Sequence, residues 1–264
     1  MSPVPTHIER RNAFWTHLLV HGPSPGSQSP PDPPSDAASI VYRSGNAELP
    51  AYIVRPRDAR SRCPGLLYSH GGCSISGQDF AAAALFAEAG FIVLLPTYRG
   101  EHGNAGDYEL FFGEVDDARA AAVALAALPN IDPQSVYAFG YSMGGEIAAL
   151  LSLFGDLPLR ATGSCGPFFL RSDPFSSASM YGAPVPFDRT DREEVELRLL
   201  RTHLRALAVP HAAFVGREDE KFSDGAWREV DVEGTCLTIT EVEGTHDTSL
   251  LPAVRAFLAR IVGS

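Results

Sequence analysis

Apolar and polar positions along this chain follow two alternating rhythms. Pro64 to Ser69, Phe91 to Leu95, Val136 to Phe139, Arg160 to Ser164, His211 to Val215 and Cys236 to Thr240 are short, strand-like runs. The run Phe91 to Leu95 is wholly apolar, as a central parallel strand covered on both faces must be. Between the runs lie stretches with helical character: Asp79 to Ala89 stopping at Gly90, Glu114 to Leu128, an alanine-rich segment through Leu150, a charged segment from Asp191 to Leu207, and Leu250 to Val262. Glu114, Asp116 and Asp117 open the second of these, where the positive end of a helix dipole favours carboxylates. Upstream, Ser39 to Arg43 and Leu49 to Val54 are separated by Ser44-Gly45-Asn46, which predicts an antiparallel hairpin. Strand–helix alternation after a hairpin predicts an α/β three-layer sandwich, its central sheet mostly parallel with an N-terminal antiparallel edge.

The first residues read differently. Thr6 to Leu19 spaces Ile8, Phe14, Trp15, Leu18 and Leu19 as an amphipathic helix, and six prolines between His21 and Ser39 predict an extended surface segment. The chain therefore divides into a helix with a Pro-rich extension over 1–38 and a single globular unit over 39–264.

Composition narrows the function classes. With 264 residues and 45% apolar content there is ample core for one α/β domain. A net charge of −11 argues against nucleic acid or an anionic membrane as partner. The densest basic run, Arg55 to Arg62, is broken by Asp58 and reads as a solvated loop. Cys63, Cys73, Cys165 and Cys236 form no C-x-x-C pair, so zinc-ribbon and thioredoxin-like chemistry is not expected and free thiols in a reducing compartment are. Glu9, Arg10, Arg11 and Asn12 interrupt what would have to be the apolar run of a signal peptide, and no stretch is long enough to span a bilayer, so a cytoplasmic location is expected.

One stretch carries chemistry. Val136 to Leu150 runs from an apolar strand through Gly140-Tyr141-Ser142-Met143-Gly144-Gly145 into a helix, the context required of a G-x-S-x-G nucleophile elbow. The flanking glycines let the strand turn into the helix within about two residues, with the serine held in a strained conformation. In open sheets of this kind a site forms at the carboxyl ends of the strands, and His70, Tyr98, Ser142, Phe168, Asp219 and His246 all fall just past such ends.

A serine hydroxyl needs a base within hydrogen-bond reach and a third group to orient that base. Downstream of Ser142 the histidines are His203, His211 and His246. His203 is expected mid-helix on a solvated face and His211 begins a strand, whereas His246 lies in a loop from which an imidazole can reach the sheet edge. The acid belongs in the loop after Val215, where Glu218, Asp219 and Glu220 are adjacent; Asp219 is preferred, with Glu218 next. Two oxyanion donors are expected, the Met143 amide and the Gly72 amide in His70-Gly71-Gly72-Cys73. His70, Tyr98, Tyr141 and Phe168 are expected around the substrate. The aromatic, irregular segment Arg171 to Thr190 places Phe168, Phe169, Phe175, Met180, Tyr181 and Phe187 either in an acyl or leaving-group pocket or simply under a long loop. No cofactor or metal is expected.

Tyr68 to Gly72, Pro96-Thr97-Tyr98-Arg99-Gly100 with Gly103, Gly113 to Asp117, Asn130 to Pro133 and the elbow together resemble the α/β-hydrolase superfamily, and more narrowly the catalytic domain of the prolyl oligopeptidase (S9) group and its single-domain esterase relatives. The resemblance runs from about Ser39 to the C-terminus and extends to Gly216-x-x-Asp219 and to His246. It implies a serine hydrolase acting through an acyl-enzyme on an ester or amide of a small molecule. The chain has no room for the β-propeller of the oligopeptidases, and His70 stands where their tyrosine assists the oxyanion hole; both departures favour small acyl substrates. An S9-like peptidase, a lactone or C–C hydrolase, an acyltransferase, and a non-catalytic binding module are the alternatives on the same scaffold.

Overall fold

The computed structural model describes residues 5–29, 31–58, 62–176, 180 and 182–263. Its centre is an eight-stranded sheet of β1 (Ala37–Ser44), β2 (Ala47–Val54), β3 (Cys63–Ser69), β4 (Ile92–Pro96), β5 (Ile131–Tyr141), β6 (Ala161–Cys165), β7 (His211–Gly216) and β8 (Leu237–Val242), in the order β1-β2-β4-β3-β5-β6-β7-β8. β2 pairs antiparallel with both β1 and β4, and every other pairing is parallel. The hairpin turns at Gly45, whose φ of 56° suits a residue without Cβ.

Side chains alternate between the two faces, which is why the central strands read as unbroken apolar runs. On one face Leu67, Ile92, Leu94, Val136 and Ala138 pack beneath α3 (Gly113–Ala126) and α4 (Met143–Leu151). On the other, Leu66, Val93, Leu95, Tyr137 and Phe139 pack beneath α2 (Gly77–Glu88) and α6 (Leu250–Val262). Among the described residues no helix is long and apolar enough to cross a membrane.

The N-terminal helix is shorter than its apolar spacing suggests. α1 (His7–Ala13) begins with a capping box between Thr6 and Glu9 and stops before Trp15, which is 91% exposed. Leu18 then bridges to Phe187, and the Leu19 amide donates to the Pro186 carbonyl. The Pro-rich segment wraps over the loops at the strand ends. Ser24 donates its amide to Gly100 O and its hydroxyl to Cys73 O, and Gly22 donates to Asp107.

The long charged helix expected from Asp191 to Leu207 does not form. Asp191 caps only α5 (Arg192–Glu196), and two single 3-10 turns follow at Leu200–Thr202 and Leu204–Ala206. Buried Leu197, Leu199 and Leu200 anchor the chain here, and the buried ion pair of Arg198 with Glu194 holds the turn, so tertiary packing overrides a helical charge pattern. His203 is consequently not on a solvated face. It is buried, its Nε2 hydrogen-bonds the Glu196 carbonyl, and its ring meets His7 at 4.3 Å.

Candidate active site

β5 delivers Ser142 to the carboxyl edge of the sheet with φ 52° and ψ −110°, a conformation unfavourable for any residue with a Cβ and held by a hydrogen bond from its amide to the Cys165 carbonyl at 2.7 Å. α4 starts at the next residue, so the Met143 amide has no intrahelical acceptor and points out of the helix end. The turn can be this tight because a Cβ on Gly144 would lie 2.1 Å from Ser69 O.

The loop after β8 carries His246 to Ser142, and the loop after β7 carries Asp219 to His246. Nε2 of His246 is 3.0 Å from Ser142 Oγ, and Nδ1 is 2.7 Å from Asp219 Oδ2. With Nδ1 protonated toward the carboxylate, Nε2 is left to accept the serine hydroxyl. All three side chains are buried, while Glu218 and Glu220 on either side of Asp219 are exposed. Asp219 also accepts the Lys221 amide at 3.0 Å through Oδ1, which fixes the carboxylate from its far side. Gly166 makes room for the base: its φ is +62°, and a Cβ there would meet His246 Cε1 at 2.9 Å.

The structure distributes the other residues expected at the site differently. Tyr141 orients the histidine loop: its hydroxyl donates to the His246 carbonyl at 3.1 Å and meets Asp247 at 3.2 Å, and its ring lies 5.3 Å from the imidazole. His70 and Tyr98 are buried beneath the loop after β3. His70 Nε2 hydrogen-bonds Glu101 at 3.0 Å, and the Tyr98 hydroxyl is engaged by Ser69 Oγ at 2.9 Å. Burial opposes a charge on His70, but the Glu101 carboxylate outweighs it and raises the imidazole to about 9. With their polar ends tied to Glu101 and Ser69, both side chains line the small cavity that also borders Gly72 and Met143. Phe168 is likewise buried, packed edge-on against Phe111. The Gly71 amide is taken by Asp79 at 3.0 Å. Gly72 and Met143 border a cavity of about 10 Å³, room for roughly one water-sized group.

Two site features carry no motif. Arg171, 2% exposed, follows the turn Phe168–Leu170 and brings its guanidinium NH2 to 3.4 Å from Ser142 Oγ, with its carbon 3.8 Å from the Phe168 ring centre. Glu146, in the first turn of α4, accepts the amides of Phe169 at 2.6 Å and Leu200 at 2.9 Å and so ties the elbow to the irregular segment; burial raises its carboxyl to about 8 despite those bonds. Cys73 lies beside the site, and burial pushes its thiol up to about 11, far from a nucleophilic thiolate. A groove of about 1180 Å³ opens from Arg171 along Phe169, Phe175 and Phe187. Phe168 and Met180 share the packed core with these phenylalanines without lining the groove, and Tyr181 lies outside the described residues. Among the described residues no group of three or more His, Cys, Asp or Glu side chains is placed to hold a metal ion.

Residues 78–157 match the profile of the prolyl oligopeptidase family, Peptidase_S9. The chain is 28% identical over 116 residues to an uncharacterized peptidase, YtmA, of Bacillus subtilis (strain 168), an overlap of 44% of this chain and 45% of the relative. Acylaminoacyl peptidase of Pyrococcus horikoshii superposes with a TM-score of 0.65 at 19% identity, over 85% of this chain and 40% of that one. A hyperthermophilic esterase of the archaeon Pyrobaculum calidifontis superposes with a TM-score of 0.66 at 18% identity, over 88% of this chain and 86% of the esterase. The chain thus spans less than half the length of the two peptidases, and at these identities the structural likeness is one of fold. An eight-stranded sheet of this order with the elbow at its centre has the α/β-hydrolase fold, and the profile match across the elbow makes the chain similar to the prolyl oligopeptidase family.

Proposed function

We propose that the protein is a serine hydrolase that cleaves an ester or amide bond of a small substrate through an acyl-enzyme on Ser142. The observation that carries this reading is the unbroken hydrogen-bond chain from Asp219 through His246 to Ser142 Oγ, built at a backbone-strained elbow. His246 takes the hydroxyl proton as Oγ bonds to the substrate's carbonyl carbon, and the same proton passes to the departing alcohol or amine as its bond to carbon breaks. Water, deprotonated by His246, then releases the acid and regenerates the serine. The Met143 and Gly72 amides are the proposed donors to the oxyanion, each worth about 3 kcal/mol when preorganised. Since the cavity beside them admits only about one small group, the body of the substrate is assigned to the groove on the Arg171 side.

A second reading, cleavage of an aminoacyl amide, is favoured by the profile match over residues 78–157. Turnover of p-nitrophenyl esters measured against aminoacyl-p-nitroanilides decides between the two. The ester reading expects acetyl and butyryl esters to give the higher kcat/KM, with all turnover abolished in Ser142→Ala. Higher kcat/KM on the anilides would favour the peptidase reading, and full turnover by the alanine variant would refute both.

A further inference from the structure

We propose that Arg171 selects substrates carrying a carboxylate within a few bonds of the scissile carbonyl, so that the preferred substrates are half-esters of dicarboxylic acids or their close analogues. This deepens the reading of Ser142 as nucleophile and rests on it. Arg171 places a full positive charge within hydrogen-bond range of the nucleophile, its NH2 at 3.4 Å from Ser142 Oγ and 3.4 Å from the Gly166 carbonyl. An atom that contacts this nitrogen is therefore close to the carbon that Oγ attacks. The side chain is built in rather than draped over the surface. It is 2% exposed, its guanidinium lies 3.8 Å from the Phe168 ring centre, and its own carbonyl is held by Arg201 at 3.1 Å.

The chemistry follows from that placement. Phe168 covers a face of the guanidinium plane, so recognition is left to the edge, and the parallel N–H donors of an arginine edge match a planar carboxylate. Arg171 also lines the groove assigned to the substrate, where Phe169, Phe175 and Phe187 form apolar wall and Arg189 and Arg201 add positive charge alongside Asp173, Asp188 and Glu196. Of these three arginines, Arg171 is the one hydrogen-bonded to Ser142 Oγ, at the point of reaction. A buried guanidinium is costly to desolvate, and a hydrogen bond to a charged partner is worth about 1.5–3 kcal/mol, equivalent to roughly 10- to 100-fold in kcat/KM.

The test compares isosteric pairs by titration of released acid at constant pH. Monoethyl succinate against ethyl succinamate places the carboxylate on the acyl side, and acetylglycolate against acetylglycolamide places it on the leaving group. The expected result is about a 10- to 100-fold preference for the carboxylate in the succinate pair, a ratio that falls toward one in Arg171→Gln and is partly kept in Arg171→Lys. A preference confined to the glycolate pair would still support selection by Arg171 but would overturn its assignment to the acyl side. Wild-type ratios near one in both pairs overturn the proposal, whether or not the glutamine variant folds, and so does a preference that survives Arg171→Gln. If the neutral esters are hydrolysed and Ser142 is labelled by a fluorophosphonate while no preference is found, only this inference falls; if neither occurs, the serine-hydrolase reading falls with it.

Discussion

Replacing Asp219 by Asn tests the proton path without disturbing its scaffold. The carboxylate serves two partners, the imidazole through Oδ2 at 2.7 Å and the Lys221 amide through Oδ1 at 3.0 Å. An asparagine keeps an oxygen for the amide, so the short turn Glu220–Phe222 that Asp219 caps should survive. Its amide nitrogen, however, then faces His246 Nδ1 and donates to it, forcing the ring proton onto Nε2. In that tautomer the nitrogen 3.0 Å from Ser142 Oγ can no longer accept the hydroxyl proton. The imidazolium formed during acyl transfer also loses its buried counter-charge. Loss of both should lower kcat by ~10³–10⁴, or about 4–5.5 kcal/mol in the barrier. Glu218→Gln and Glu220→Gln, on exposed side chains flanking the same turn, should change kcat less than about threefold, since screened surface charges act weakly. Steady-state kinetics on p-nitrophenyl butyrate, with thermal melts to establish folding, measures all three. A large loss in Glu218→Gln with Asp219→Asn near wild type would refute the assignment of the acid.

Three further outcomes are expected. Tyr141→Phe removes the hydrogen bond to the His246 carbonyl and should cost about 0.5–1.5 kcal/mol, roughly 2- to 10-fold in kcat/KM; a loss beyond about 100-fold would mean the phenol acts on the substrate itself. Gly144→Ala puts a Cβ against Ser69 O and His70 O, so urea unfolding should show a loss of about 2–3 kcal/mol or more together with lost turnover, and a variant of wild-type stability would contradict the packing at the elbow. Burial lowers His211 from 6.5 to about 3, its ring held neutral between Thr162 and Ser164. Below about pH 6.5 the unfolded chain binds a proton there that the folded chain refuses, so stability should fall with pH by about 1.4 kcal/mol per unit from this residue, and urea midpoints of His211→Asn should show a shallower acid slope than wild type. Parallel slopes would contradict a neutral His211.

Much of the frame can be read in the residues because the signals are local. Parallel strands covered on both faces must be apolar throughout, and the glycines around Ser142 are demanded by contacts as short as 2.0 Å between a Cβ on Gly140 and Gly144 O. The loops holding His246 and Asp219 follow from chain order on such a sheet. Features set by tertiary packing left no periodic trace. The segment from Asp191 to Leu207 has helical charge spacing, yet burial of Leu197, Leu199 and Leu200 bends it into short turns and carries His203 inside. Arg171 sits in a stretch without regular spacing, and its approach to Ser142 depends on a turn after β6 that no motif announces. The partner of His70 is Glu101, 31 residues away in a loop whose polar composition gives no hint of burial.

Ser142 Oγ, as the proposed nucleophile, should form a covalent bond to an electrophile that reaches the site. Intact-mass analysis of the protein treated with a fluorophosphonate, followed by peptide mapping, tests it directly. One added phosphonyl group per chain is expected, located on Ser142, absent in Ser142→Ala and strongly slowed in Asp219→Asn. A protein that takes no label, or a label that maps elsewhere and persists in Ser142→Ala, would contradict it.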